Sequence, residues 1–114
     1  MNSRFEKHYL LADRLMDLEM ALRECGAWEC DPPSEEALAS VTPFCIDTMS
    51  FAQWLRFVMM ARFKQMLEEG AALPTRCHIS PMAADAFSAY PAHHVANIVA
   101  ALDRIDAHLN GKSQ

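Results

Sequence analysis

A chain of 114 residues, 52% of them apolar and 22% charged, has the make-up of one globular domain and lies far from the disordered regime. The net charge of −5 comes from the first half, where four lysines and arginines face ten acids over residues 1–50; phosphate neutralisation needs clustered cations, so the charge argues against direct nucleic-acid binding as the main task. No run of eighteen apolar residues occurs and the start is polar, so neither a membrane span nor a secretory leader is expected, and Cys25, Cys30, Cys45 and Cys77 are read as reduced thiols of a cytoplasmic protein.

Three glycines, abundant Ala, Leu and Met and few β-branched residues favour helix throughout. The first helix is predicted over residues 3–25. His8, Leu11, Leu15, Leu18, Leu22 and Cys25 recur at steps of three and four, Met16 and Met20 widen that seam, Ser3 and Glu6 form a capping box, and Gly26 ends the helix. Residues 27–49 are irregular because Asp31-Pro32-Pro33 and Pro43 break helical bonding. A short turn is expected over Ser34–Leu38. Trp28, Val41, Phe44, Cys45 and Ile46 are expected to pack this stretch across the helices.

Ser50 and Gln53 make a second capping box, with Met49 and Trp54 as its hydrophobic staple. The helix they open carries Phe51, Trp54, Leu55, Val58, Met59, Phe63, Met66 and Leu67 on one broad stripe, and Phe57 and Met60 on another face. A helix apolar nearly all round belongs at the centre of a domain. Gly70 ends it. After a linker with Leu73-Pro74, Ser80 is expected to cap a short helix that has Pro81 in its first turn. Pro91 then starts the last helix, striped by Val95, Ile98, Val99, Leu102, Ile105 and Leu109. The expected fold is all-α: an antiparallel bundle of three long helices plus one or two short ones, a single domain over residues 1–110 with a frayed tail at 111–114.

No residue set carries chemistry, and no cofactor is expected. Cys25 and Cys30 are four residues apart, Cys77 and His78 are adjacent, and no second pair mirrors either as a zinc site requires. His93 and His94 diverge by about 100° on a helix, too far to share an ion. Thr48, Ser50 and Ser80 fit loop and cap roles, and three scattered glycines form no phosphate loop. Asp47, in an apolar stretch, and Arg62, on the apolar helix, each need a partner. They either pair with each other, bond loop backbone to clamp the irregular segment, or form the polar floor of a binding groove with Trp54. Met59, Met60, Met66 and Met82 either fill the core or line an adaptable partner surface.

Thr42-Pro43-Phe44, Asp47-Thr48-Met49, Trp54-Leu55, Val58, Arg62, Leu73-Pro74 and Ile79-Ser80-Pro81-Met82-Ala83 stand in an order that resembles the YqcC-like family of small gammaproteobacterial proteins, over residues 5–109. The resemblance implies an all-helical fold and no known reaction. It also implies a gene neighbourhood shared with a tRNA pseudouridine synthase. Ala61 stands where the family often has proline, which should leave the central helix straighter, and Ala84 stands where an acid is usual, with Asp85 following. The functional expectation is a helical protein–protein interaction or accessory module, self-associating or serving such a synthase, with Asp47, Trp54, Arg62 and Met82 as candidate contact residues. The competing expectation is a small apolar or amphipathic ligand held between helices at Trp54 and Arg62.

Overall fold

A computed structural model of the chain describes residues 5–111, and every element among them is helical. In chain order they are α1 (Glu6–Glu24), α2 (Glu35–Leu38), a 3-10 turn (Pro43–Cys45), α3 (Phe51–Trp54), a π-helical stretch (Leu55–Met59), α4 (Met60–Glu69), a second 3-10 turn (Ser80–Met82), α5 (Ala83–Ala86) and α6 (Ala92–Leu109). Ser3, the proposed first cap, and the tail residues Lys112–Gln114 lie outside the described residues.

The core follows from spacing. Leu11, Leu15, Leu18 and Leu22 of α1 and Ile98, Leu102, Ile105 and Leu109 of α6 are almost wholly buried in one cluster, and α1 packs against α6 more than any other pair of elements meets. Each such side chain contributes about 1.5–3 kcal/mol on leaving water. The start of α1 meets the end of α6, where His108 Nε2 donates to the Lys7 carbonyl at 2.9 Å. His8 Nε2 likewise donates to the Ala71 carbonyl at 2.7 Å, fastening α1 to the chain that leaves α4. Met16 and Met20 do not widen the seam as expected: they are 64% and 58% exposed, and the residue that joins the buried face is Ala21. Ala21 is small enough to sit against α6, whereas Met20 lies at the surface beside Asn97 and Ala100 of α6 and Met16 beside Lys64 and Leu67 of α4.

The run from Phe51 to Glu69 is helical throughout and passes Ala61 within α4, but it is not one regular α-helix. Leu55–Met59 winds as a π-helix, in which the Met60 N–H bonds the Leu55 carbonyl five residues back. The wider turn re-phases the side chains. Leu55, Met59, Met60 and Phe63 all become buried, including two consecutive residues that a regular α-helix would place about 100° apart. The capping box of Ser50 and Gln53 is present in both directions, and Gly70 closes the run with a left-handed φ of 64°.

The linker before α5 is fixed from α6. Asp106, buried on the core side of that helix, accepts from Ile79 N–H at 2.9 Å and Ser80 N–H at 2.9 Å. Asn110 accepts from Cys77 N–H and donates to the Cys77 carbonyl, both at 2.8 Å. Ser80 therefore does not cap with its own side chain as expected; a carboxylate from another helix satisfies these free donors.

Candidate functional site

The irregular stretch before α3 is short of buried apolar side chains and rich in local polar bonds. Ser34 caps α2 by accepting from Ala37 N–H. Ser40 Oγ accepts from Thr42 N–H and donates to Asp47 Oδ1 at 2.6 Å. Thr48 Oγ1 donates to the Ala37 carbonyl at 2.9 Å, and Gln53 Nε2 reaches the Asp31 carbonyl at 2.9 Å. The hydroxyl of Ser40 holds the Asp47 carboxyl below its ordinary value of 3.8, so the loop bond is charge-assisted at neutral pH. As pH falls through that lowered pKa the carboxylate is protonated and its contribution to holding the loop is lost.

These bonds support a strained turn. Phe44 and Cys45 have φ of 59° and 50°, and left-handed backbone costs a non-glycine residue about 1–2 kcal/mol. The Phe44 ring is held edge-on against Trp54 at 4.9 Å and Phe51 at 5.9 Å, and Phe51 meets Phe87 of the opposite wall at 5.9 Å. Such ring pairs contribute about 0.5–1.5 kcal/mol each, which offsets the strain. The turn leaves Ile46 61% and Val41 99% exposed, against the expectation that both pack inward: with Asp47 bonded to Ser40 and the chain reversed at Phe44, these two side chains face solvent while Cys45 is buried and Phe44 packs on the rings.

Between this turn and the start of α5 runs an open groove of about 380 Å³. Phe44, Ile46, Met49 and Phe51 line one side, and Met82, Asp85 and Ala86 the other. Its first wall is set by the turn and the α3 cap, and its second by the Asp106 anchor behind Ile79 and Ser80.

Of the sequence-derived candidates, Met82 lines the groove, Trp54 touches the rings of Phe44 and Phe51, and Asp47 lies next to Ile46 on the same loop. Arg62 is elsewhere, exposed on α4. Asp47 and Arg62 are not brought together: Ser40 satisfies the carboxylate, and no burial demands a partner for the guanidinium. Nor do Trp54 and Arg62 enclose a pocket. The buried-helix arginine with partners is Arg56, which donates to the Trp28 carbonyl at 2.7 Å and lies 4.4 Å from the Trp28 ring centre. His93 and His94 do not diverge as expected; their rings lie 4.0 Å apart. Among the described residues no group of three His, Cys, Asp or Glu side chains is placed to hold a metal, and no helix is long and apolar enough to cross a membrane.

The sequence reading missed Asp106 and Asn110, and noted Asp85 only as the acid that follows Ala84. Asp106 had a signal: with Leu102, Ile105 and Leu109 it completes the i, i+3, i+4, i+7 pattern of the buried stripe. A carboxylate there requires buried donors. Its presence and the burial around it push the Cys77 thiol far above the ordinary thiol value, burial being the larger cause.

The family described as tRNA pseudouridine synthase C matches residues 10–108. The protein YqcC of Escherichia coli is 33% identical over 95 residues, which are 82% of this chain and 85% of that one. The chain belongs to the YqcC-like family. The solution NMR structure of E. coli YqcC superposes with a TM-score of 0.77 at 29% identity, covering 95% of this chain and 92% of that one. A further relative, an uncharacterized protein of Haemophilus influenzae, is 38% identical over 67% of this chain and 72% of its own. A Pectobacterium carotovorum protein named tRNA pseudouridine synthase C is 45% identical over 60 residues, which are 53% of this chain but 16% of that protein. The groove residues and the aromatic cluster from Phe44 to Phe87 all fall inside the stretch that defines the YqcC-like family.

Proposed function

We propose that this YqcC-like chain is a cytoplasmic accessory module without chemistry of its own, which docks through the groove between Phe44–Phe51 and Met82–Asp85 onto a tRNA pseudouridine synthase C. Its three long helical runs form an antiparallel bundle that serves as the rigid support. The observation that carries the reading is the strained, heavily bonded turn that holds Ile46 and Val41 out in water beside an apolar groove. A fold that only needed to close its core would bury them. The longer relative that bears the synthase name supports the choice of partner: a stretch like this one within such a chain fits a segment that works beside the enzyme. The acidic charge of the first half supports contact with the protein and not with its RNA.

The groove is one anchor pocket of an interface, since a specific complex buries about 800 Å² on each side. The test uses the purified chain and the purified synthase C of the same organism, by titration calorimetry. The wild type binds, and Ile46→Ser and Ala86→Arg, which removes an apolar anchor and fills the groove, reduce affinity by tenfold or more with unchanged melting. Absence of binding by the wild type, or equal binding by both variants, would overturn the proposal.

A further inference from the structure

The two walls of the groove share a property that the apolar lining does not require. No lysine or arginine lies between Arg23 and Arg56, a stretch that holds Glu24, Glu29, Asp31, Glu35, Glu36 and Asp47. None lies between Arg76 and Arg104 either, where Asp85 and Asp103 stand. One wall comes from the first stretch and the other from the second, so every formal charge that either wall's stretch contributes is negative. Asp85 lines the groove itself, exposed and without a side-chain bond among the described residues, and Asp47 is exposed beside Ile46. An apolar groove whose one charged lining residue is Asp85, with Asp47 exposed next to Ile46 on the adjoining loop, repels an acidic segment. It attracts a basic one over a screening distance of about 8 Å at physiological salt.

We infer that the segment entering this groove is a short basic stretch of a protein partner, with one or two apolar anchors on the floor and flanking lysines or arginines facing Asp85 and Asp47. The inference rests on the docking reading above and adds the chemistry of what docks. Apolar anchors at helical or alternating spacing give the grip, and the flanking cations give orientation and encounter rate.

The experiment uses the full chain and two fluorescent peptides that share the same leucine spacing, one with lysine at all other positions and one with glutamate, read by anisotropy. The lysine peptide binds and the glutamate peptide does not. The double variant Asp47→Asn/Asp85→Asn, which keeps the oxygen that accepts from Ser40, weakens the lysine peptide roughly tenfold at low salt and less at high salt. Ile46→Ser weakens it at both. The control Asp13→Asn/Asp17→Asn removes the same charge from the exposed side of α1 and leaves binding unchanged. The inference fails if no peptide binds, if the glutamate peptide binds equally, or if the α1 control weakens binding as much as the groove pair. If the synthase binds at the groove and the Asp47/Asp85 double variant binds it as well as wild type, the basic-segment inference falls and the docking reading stands. If the lysine peptide binds at the groove and the synthase does not, the choice of partner falls and the groove chemistry stands.

Discussion

Two irregular stretches of this molecule are fixed in opposite ways. Residues 77–80 are held from behind: Asp106 and Asn110 of α6 take up the backbone of Cys77, Ile79 and Ser80, and Cys77, Ile79 and Ser80 are buried. Residues 40–48 are held by their own side chains at the surface, through Ser40, Asp47 and Thr48, with apolar side chains left outside. The first arrangement serves stability, because the Asp106 bonds are buried, the Asn110 bonds are half-buried, and the Cys77 and Ile79 side chains are covered. The second uses bonds that water can compete for, and strain at Phe44 and Cys45, to present a surface. That contrast is why the docking proposal is placed on the exposed loop, with the α6-anchored stretch as the support of the groove's second wall.

The largest expected effect lies in the buried stretch. Asp106→Ala leaves two buried N–H donors without an acceptor and should cost about 3 kcal/mol by chemical denaturation. Asp106→Asn keeps one acceptor and should cost about half of that. A loss below about 1 kcal/mol for the alanine variant would remove the distinction between the two loops. Asn110→Ala frees both backbone groups of Cys77 and should cost about 1–2 kcal/mol.

Alkaline pH sharpens the same contrast. The folded thiol of Cys77 sits well above its ordinary value of 9.0, so the unfolded chain releases that proton first. The contribution of the neutral thiol is complete below pH 9 and is lost as pH rises beyond it. In the native protein Cys77 should resist alkylation at mildly alkaline pH, while half-buried Cys30 reacts, as followed by peptide mass mapping. The smallest stability effect belongs to the exposed loop: Ile46→Ser should change the unfolding free energy by no more than about 0.5 kcal/mol, although it removes the proposed anchor.

Much of the helical scaffold could be read from the sequence. The stripes of Leu11 to Leu22 and Ile98 to Leu109, the capping box at Ser50 and the stop at Gly70 are local signals, set by spacing and by the chemistry of single residues. The site was half legible. Met82, Trp54 and Asp47 were singled out because apolar or charged residues in unusual surroundings draw attention; Met82 lines the groove, Trp54 touches two rings of its wall, and Asp47 bonds within the adjoining loop. Arg62 drew the same attention and lies on a wet face. Which side of a helix faces water depends on what packs against it, and the π-helical turn at Leu55–Met59 shifts that phase by long-range demand that no local pattern encodes. The outward turn of Ile46 and Val41 follows from two positive φ angles at residues that rarely adopt them, and so defies propensity.

Docking at the groove can be read from hydrogen–deuterium exchange of this chain alone and with the tRNA pseudouridine synthase C of the same organism. Slowed exchange is predicted over residues 43–51 and 80–87, with α1 unchanged. Protection confined to the exposed face of α1, or no change anywhere at saturating synthase, would contradict it.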